Sequence, residues 1–142
     1  MKAQVISAAL FLVMIGMASA FAHVRIHDDR GGQIGAYLAR YHALRVSGER
    51  VEIDGTCASA CTMLLGIIPR DRICVTSRAT FAFHAAWDPA PEGHAASKAG
   101  TRILWSNYPP DVREWIVRHG GLQSRMIYLQ GPELLEMFPI CR

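Results

Sequence analysis

Residues 55–66 read GTCASACTMLLG. Ser59 stands between Ala58 and Ala60, these between Cys57 and Cys61, and an apolar run follows. A serine on a sharp strand-to-helix turn is presented as a nucleophile. A serine at a helix start is also a common N-cap, and alanines let a helix pack closely on a sheet. Both readings stay open locally. The stretch does fix a reversal of the chain. Residues 50–54 (RVEID) read as a strand, residues 55–59 as a turn, and residues 60–68 as a short buried helix.

Outward from there the same alternation repeats. Residues 23–29 (HVRIHDD) alternate, with Val24 and Ile26 on one face, and predict a strand. Gly31 and Gly32 make a turn. Ile34, Tyr37, Leu38, Tyr41 and Leu44 then recur at helical spacing until Gly48. Beyond the turn at 69–72, residues 73–76 (ICVT) and 80–86 (TFAFHAA) predict strands. Strand and helix in alternation predict an α/β fold, a parallel sheet wrapped by helices with right-handed connections. Residues 87–100 (WDPAPEGHAASKAG) are rich in proline, glycine and small residues and predict a mobile loop or lid. Residues 109–121 predict a helix, begun by Pro109 and Pro110 with Asp111 in its first turn and stopped by Gly120 and Gly121.

The N-terminal segment has a different character. It has a basic Lys2, an apolar run over residues 5–17 and Ala-Ser-Ala at 18–20. That is the layout of a signal peptide over residues 1–20, with cleavage after Ala22 as the alternative. The rival is an uncleaved membrane anchor, but the run is shorter than the roughly 20 apolar residues a span needs. Residues 21–142 are then one small domain, periplasmic or secreted. The net charge of +3 is spread among acids and does not point to nucleic acid.

Export bears on the cysteines. Cys57, Cys61, Cys74 and Cys141 all follow the leader, and an even number in an exported chain implies disulfides. Cys57 and Cys61 have three residues between them, but no second tight Cys or His pair completes a zinc pattern, so no metal is expected. Cys57–Cys61 with Cys74–Cys141 is the favoured pairing of the three. The first pair flanks a turn at one end of the sheet, whereas Cys74 starts a strand at the other.

In an open parallel sheet functional groups gather at the carboxyl ends of strands. Three features here meet that description: the Gly31–Gly32 turn, Ser59, and His84 at the end of TFAFH. A hydroxyl, an imidazole to take its proton and backbone N–H donors for an oxyanion are the minimum for acyl transfer.

Residues 26–44, 55–86 and, less closely, 131–138 resemble the proteolytic subunit of Clp protease, and more closely a group of exported bacterial Clp-protease-like proteins. The resemblance spans residues 24 to 138. It implies the Clp-protease/crotonase-like β/β/α superhelix. Ser59 would be the nucleophile and His84, 25 residues later, the general base. Gly32 and Ala60 would supply the oxyanion N–H groups. Aligning GPELLE with the family's Ala-Pro-Glu segment puts Met126 where the family has its catalytic aspartate. The acid is therefore unassigned, with Asp88, Asp111 and Glu133 as substitutes. The implied activity is an ATP-independent serine hydrolase, chiefly a peptidase, acting on peptide or ester substrates with no cofactor. An exported chain meets no ATP-driven unfoldase. Homo-oligomers are usual in the family, and three- or six-fold rings are the expectation. The competing class is a non-catalytic binding or scaffolding domain. A redox role for Cys57 and Cys61 ranks third, because the spacing is not that of thioredoxin-like motifs.

Overall fold

The computed structural model describes residues 23–142. The leader and its two cleavage sites lie outside the described residues. Eight strands and five helices follow in the order β1 (His23–Ile26), α1 (Ile34–Ser47), β2 (Arg50–Ile53), β3 (Thr56–Ala58), α2 (Leu64–Ile67), β4 (Ile73–Val75), β5 (Thr80–Phe83), β6 (Trp87–Ala90), β7 (Gly93–Ala96), α3 (Lys98–Ser106), α4 (Pro110–Arg118), β8 (Ile127–Gln130) and α5 (Gly131–Met137). A 3₁₀ turn, Ser59–Met63, joins β3 to α2.

The expected single parallel sheet is divided in two. One sheet has the order β1-β2-β4, all parallel; the other has the order β3-β5-β8, with β3 and β5 parallel and β8 antiparallel to β5. The chain passes from β2 in the first sheet to β3 in the second, through α2, then from β4 in the first to β5 in the second. Residues 56–58, expected as part of a turn, are therefore a strand. The expected loop over 87–100 is instead the β6–β7 hairpin followed by the start of α3, with the Trp87 and His94 rings 3.7 Å apart between centroids and tilted by 30°.

Burial follows the sequence pattern. On α1, Tyr41 and Leu44 are buried, Ile34, Tyr37 and Leu38 pack against the core, and Gly48 closes the helix in the left-handed conformation. Val51 and Ile53 of β2 are fully buried. Their neighbours Glu52 and Asp54 are buried too, but paired: Arg25 forms an ion pair with Glu52, whose carboxylate also lies 3.0 Å from the His23 ring, and Arg78 holds Asp54 through two nitrogens at 3.1 and 2.5 Å. Phe81 and Phe83 carry the core side of the second sheet. The Phe83 ring lies 5.2 Å from Tyr108 and 5.8 Å from Trp115, and Phe81 lies 5.2 Å from Phe138. Gly66 lets α2 touch the end of α3, since a β-carbon there would fall 1.6 Å from the Asn107 carbonyl oxygen.

Two disulfides, Cys57–Cys61 and Cys74–Cys141, complete the framework. The second ties the C-terminus to β4, where Val75 N–H donates to the Pro139 carbonyl and Cys141 N–H to the Val75 carbonyl. No helix among the described residues is long and apolar enough to cross a membrane.

Candidate functional site

Ser59 begins where β3 ends. Ala58 is still extended (φ −115°, ψ 152°), and Ser59 turns to φ +56°, a left-handed conformation that costs a residue with a β-carbon about 1–2 kcal/mol. Three contacts hold the turn in that shape. Thr62 Oγ1 donates to the Ser59 carbonyl at 2.6 Å and lies 2.7 Å from the Tyr108 hydroxyl. Tyr41 donates to the Cys61 carbonyl at 2.9 Å. The Cys57–Cys61 disulfide brackets Ser59 from both sides. Burial pushes the Tyr41 and Tyr108 hydroxyls well above the ordinary tyrosine value, so both stay protonated as donors.

The glycine turn reaches the same place. Asp29 N–H donates to the Thr56 carbonyl and Ala58 N–H to the Asp29 carbonyl, which lays residues 28–29 along β3. Asp29 Oδ1 accepts from the Tyr37 hydroxyl at 2.5 Å and from Gly31 N–H at 2.9 Å. Burial and this contact push the Tyr37 hydroxyl up to about 12. A β-carbon on Gly31 would stand 2.6 Å from the Ala58 carbonyl oxygen and 2.9 Å from the Ala60 nitrogen. Gly31, at φ +81°, is thus the glycine that touches the serine turn, and its N–H is already engaged by Asp29. Gly32 follows on the surface, where a β-carbon would meet only the Tyr37 ring, at 3.4 Å. Ala60 lies in the first turn of the 3₁₀ segment, where backbone N–H groups have no partner within the helix.

His84 follows β5 directly. Ala58 and Ala82 are register partners on adjacent parallel strands, so Ser59 and His84 leave the sheet at the same end of neighbouring strands. His84 is buried, and loss of solvent holds its imidazole below its ordinary value of 6.5, a hydrogen bond to the Ala85 backbone acting the other way. The ring is therefore neutral at pH 7, the form that can accept a proton. Among the described residues no hydrogen bond joins Ser59 to His84, and no carboxylate bonds the His84 ring.

The substitute acids lie elsewhere. Asp111 pairs with Arg70 at 2.7 Å. Glu133 accepts from the Trp115 indole at 3.2 Å and faces His119. Asp88 is exposed on β6. Met126 is exposed just ahead of β8. Two grooves flank the strand ends. One, of about 540 Å³, begins at Ala85, next to His84, and runs over α3. The other, of about 470 Å³, has Ala58, next to Ser59, in its wall, with Asp28, Arg30, Met126 and Tyr128. No group of three or more metal-ligating side chains occurs among the described residues. The roles of Gly31, Tyr41, Thr62 and Tyr108 in holding the turn have no local sequence signal, because each contact depends on tertiary register.

No protein-family model matches the chain, and no curated protein matches it. Among solved structures it is similar to a ClpP1 mutant from Listeria monocytogenes, at 12% identity and a TM-score of 0.45, over 83% of this chain and 71% of that one.

Proposed function

We propose that this chain is a serine hydrolase of the periplasm or cell exterior, chiefly a peptidase, working without ATP and without a cofactor. Ser59 is its nucleophile, His84 the base, and Ala60 and Gly32 N–H groups the oxyanion donors. One observation carries the reading: Ser59 holds a left-handed backbone, clamped on every side, beside a neighbouring strand that ends in a buried neutral histidine. Strain of that kind persists only where the surroundings over-determine it, and it clusters at functional sites. His84 would take the hydroxyl proton as Ser59 attacks an acyl carbon, then return it to the leaving group. The passage of β2 to β3 and of β4 to β5 between two sheets supports a Clp-protease/crotonase-like β/β/α superhelix as the setting. The disulfides suit an oxidising compartment.

The second reading is a non-catalytic binding domain. It is favoured by a His84 ring that no carboxylate orients, since an acid fixes the imidazole and stabilises its charged form. The test is labelling by a fluorophosphonate probe. The hydrolase reading expects labelling of the parent and none of Ser59→Ala or His84→Ala. It also expects either change to cost nearly as much as both, because the pair acts as a unit. An unlabelled parent protein selects the binding-domain reading.

A further inference from the structure

Resting on the hydrolase reading for its relation to His84, we propose that the groove over α3 binds the C-terminal residue of a peptide. The apolar side chain would lie along Trp105 and Leu122, and the free carboxylate would be held by Lys98 and Arg102. The groove's volume of about 540 Å³ is that of a small-ligand site. Its lining is mostly apolar, with Ala85, Ala96, Trp105 and Leu122 among its walls.

The Thr101 hydroxyl in its wall is already used both as donor and as acceptor, and the Ser97 hydroxyl as acceptor. Ser97 Oγ accepts from Gly100 N–H at 3.2 Å. Thr101 Oγ1 donates to the Ser97 carbonyl at 2.8 Å and accepts from Ala86 N–H at 2.9 Å. The charged side chains in the lining are Lys98 and Arg102, and no carboxylate lines the groove. Lys98, Thr101, Arg102 and Trp105 fall at i, i+3, i+4 and i+7, which is one face of α3.

Like charges four residues apart on a helix oppose each other. On α4 the corresponding spacing holds an ion pair, Glu114 with Arg118 at 2.9 Å. Lys98 and Arg102 make no ion pair among the described residues. Two unpaired cations in a mostly apolar lining complement an apolar group bearing one negative charge, and they repel a cationic one. A peptide terminus offers that combination. Ala85, which follows His84 in the chain, lies in the wall of the same groove.

The test is calorimetric titration of the Ser59→Ala protein with the tetrapeptide Ala-Ala-Ala-Leu, as free acid and as C-terminal amide. The free acid is expected to bind about tenfold more tightly. In Lys98→Gln/Arg102→Gln that advantage should fall below about twofold, with the amide's affinity unchanged. Equal affinity for acid and amide overturns the proposal, as does an advantage that survives the double substitution or no binding of either. Hexanoate, a chain and carboxylate without amides, should bind more weakly than the peptide; tighter binding would make the occupant an acyl chain and overturn it too. Binding to Ser59→Ala does not depend on turnover. A protein that never labels but prefers the free acid would therefore fail the hydrolase reading and keep this one.

Discussion

Gly31 lies so close to the serine turn that a β-carbon on it would stand 2.8 Å from the Cβ of Ser59. Its backbone is also left-handed, at φ +81°. Gly31→Ala thus combines backbone strain with a clash against main-chain atoms that cannot swing aside. A loss of at least about 2 kcal/mol is expected, read from urea unfolding.

Gly32→Ala separates structure from chemistry at the same turn. Its added methyl meets only the edge of the Tyr37 ring, at 3.4 Å, so the melting temperature should barely move. Alanine keeps the N–H, so turnover of an ester substrate should fall by less than about tenfold; deleting the donor itself, with Gly32→Pro, should cost about 100- to 1,000-fold if Gly32 supplies an oxyanion N–H. A variant that simply unfolds would make the turn structural and remove Gly32 from the site.

Ser59→Ala and Ser59→Gly both remove the hydroxyl, and both should abolish labelling. They should differ in stability. Alanine inherits the φ of +56°, whereas glycine adopts it freely, so the glycine variant should be the more stable of the two by about 1 kcal/mol. Equal stabilities by denaturant unfolding would mean that the turn relaxes in solution and stores no strain.

Helix α1 and strands β2 and β4 were legible in the sequence because each carries its own apolar period and stops at a glycine or a polar turn; β5 was legible from Phe81 and Phe83, but its end, expected at residue 86, falls at Phe83 because no turn residue marks it. Strand β3 was not. It is three residues long, two of them small or polar, and only pairing with β5 and with Asp29 makes it a strand. Strand β8 hides similarly: Ile127 and Leu129 alternate inward, but four residues after a glycine loop give little pattern. The β6–β7 hairpin is largely exposed and held mainly by its own pairing, so its proline and glycine content read as loop. At the site, Ser59 and His84 stood out as residue types at strand ends. Which of two adjacent glycines touches the serine depends on how residues 28–31 lie along β3, and no local pattern encodes that.

The two disulfides should behave differently when removed. Cys74–Cys141 spans 67 residues, and closing a loop of that length limits the unfolded chain by about 4 kcal/mol. Cys57–Cys61 spans four and contributes about 2 kcal/mol by the same reckoning, but it brackets Ser59. Replacing Cys74 and Cys141 by alanine should lower the melting temperature more. Replacing Cys57 and Cys61 should lower labelling more, per degree of melting temperature lost. If both pairs reduce labelling only in proportion to stability, the short disulfide has no positioning role.

The pH dependence tests the state of His84. Its imidazole is held below 6.5 chiefly by burial, so it should be neutral and able to act as a base throughout the neutral range. The acid limb of kcat/KM should have its midpoint below 6.5 and level off above it. Stability follows with a definite sign. The unfolded chain binds a proton at His84 more readily than the native protein does. The contribution is thus fully present above the unfolded value of about 6.5 and is lost as pH falls through the native value. Between pH 7 and 5 the parent should lose more melting temperature than His84→Gln, which lacks that titration. The remaining histidines and the Asp54–Arg78 and Glu52–Arg25 pairs are common to both proteins and cancel in the comparison. An acid limb centred above 6.5 would instead reveal a carboxylate on the imidazole in the working enzyme, which converts the Ser-His pair into a triad.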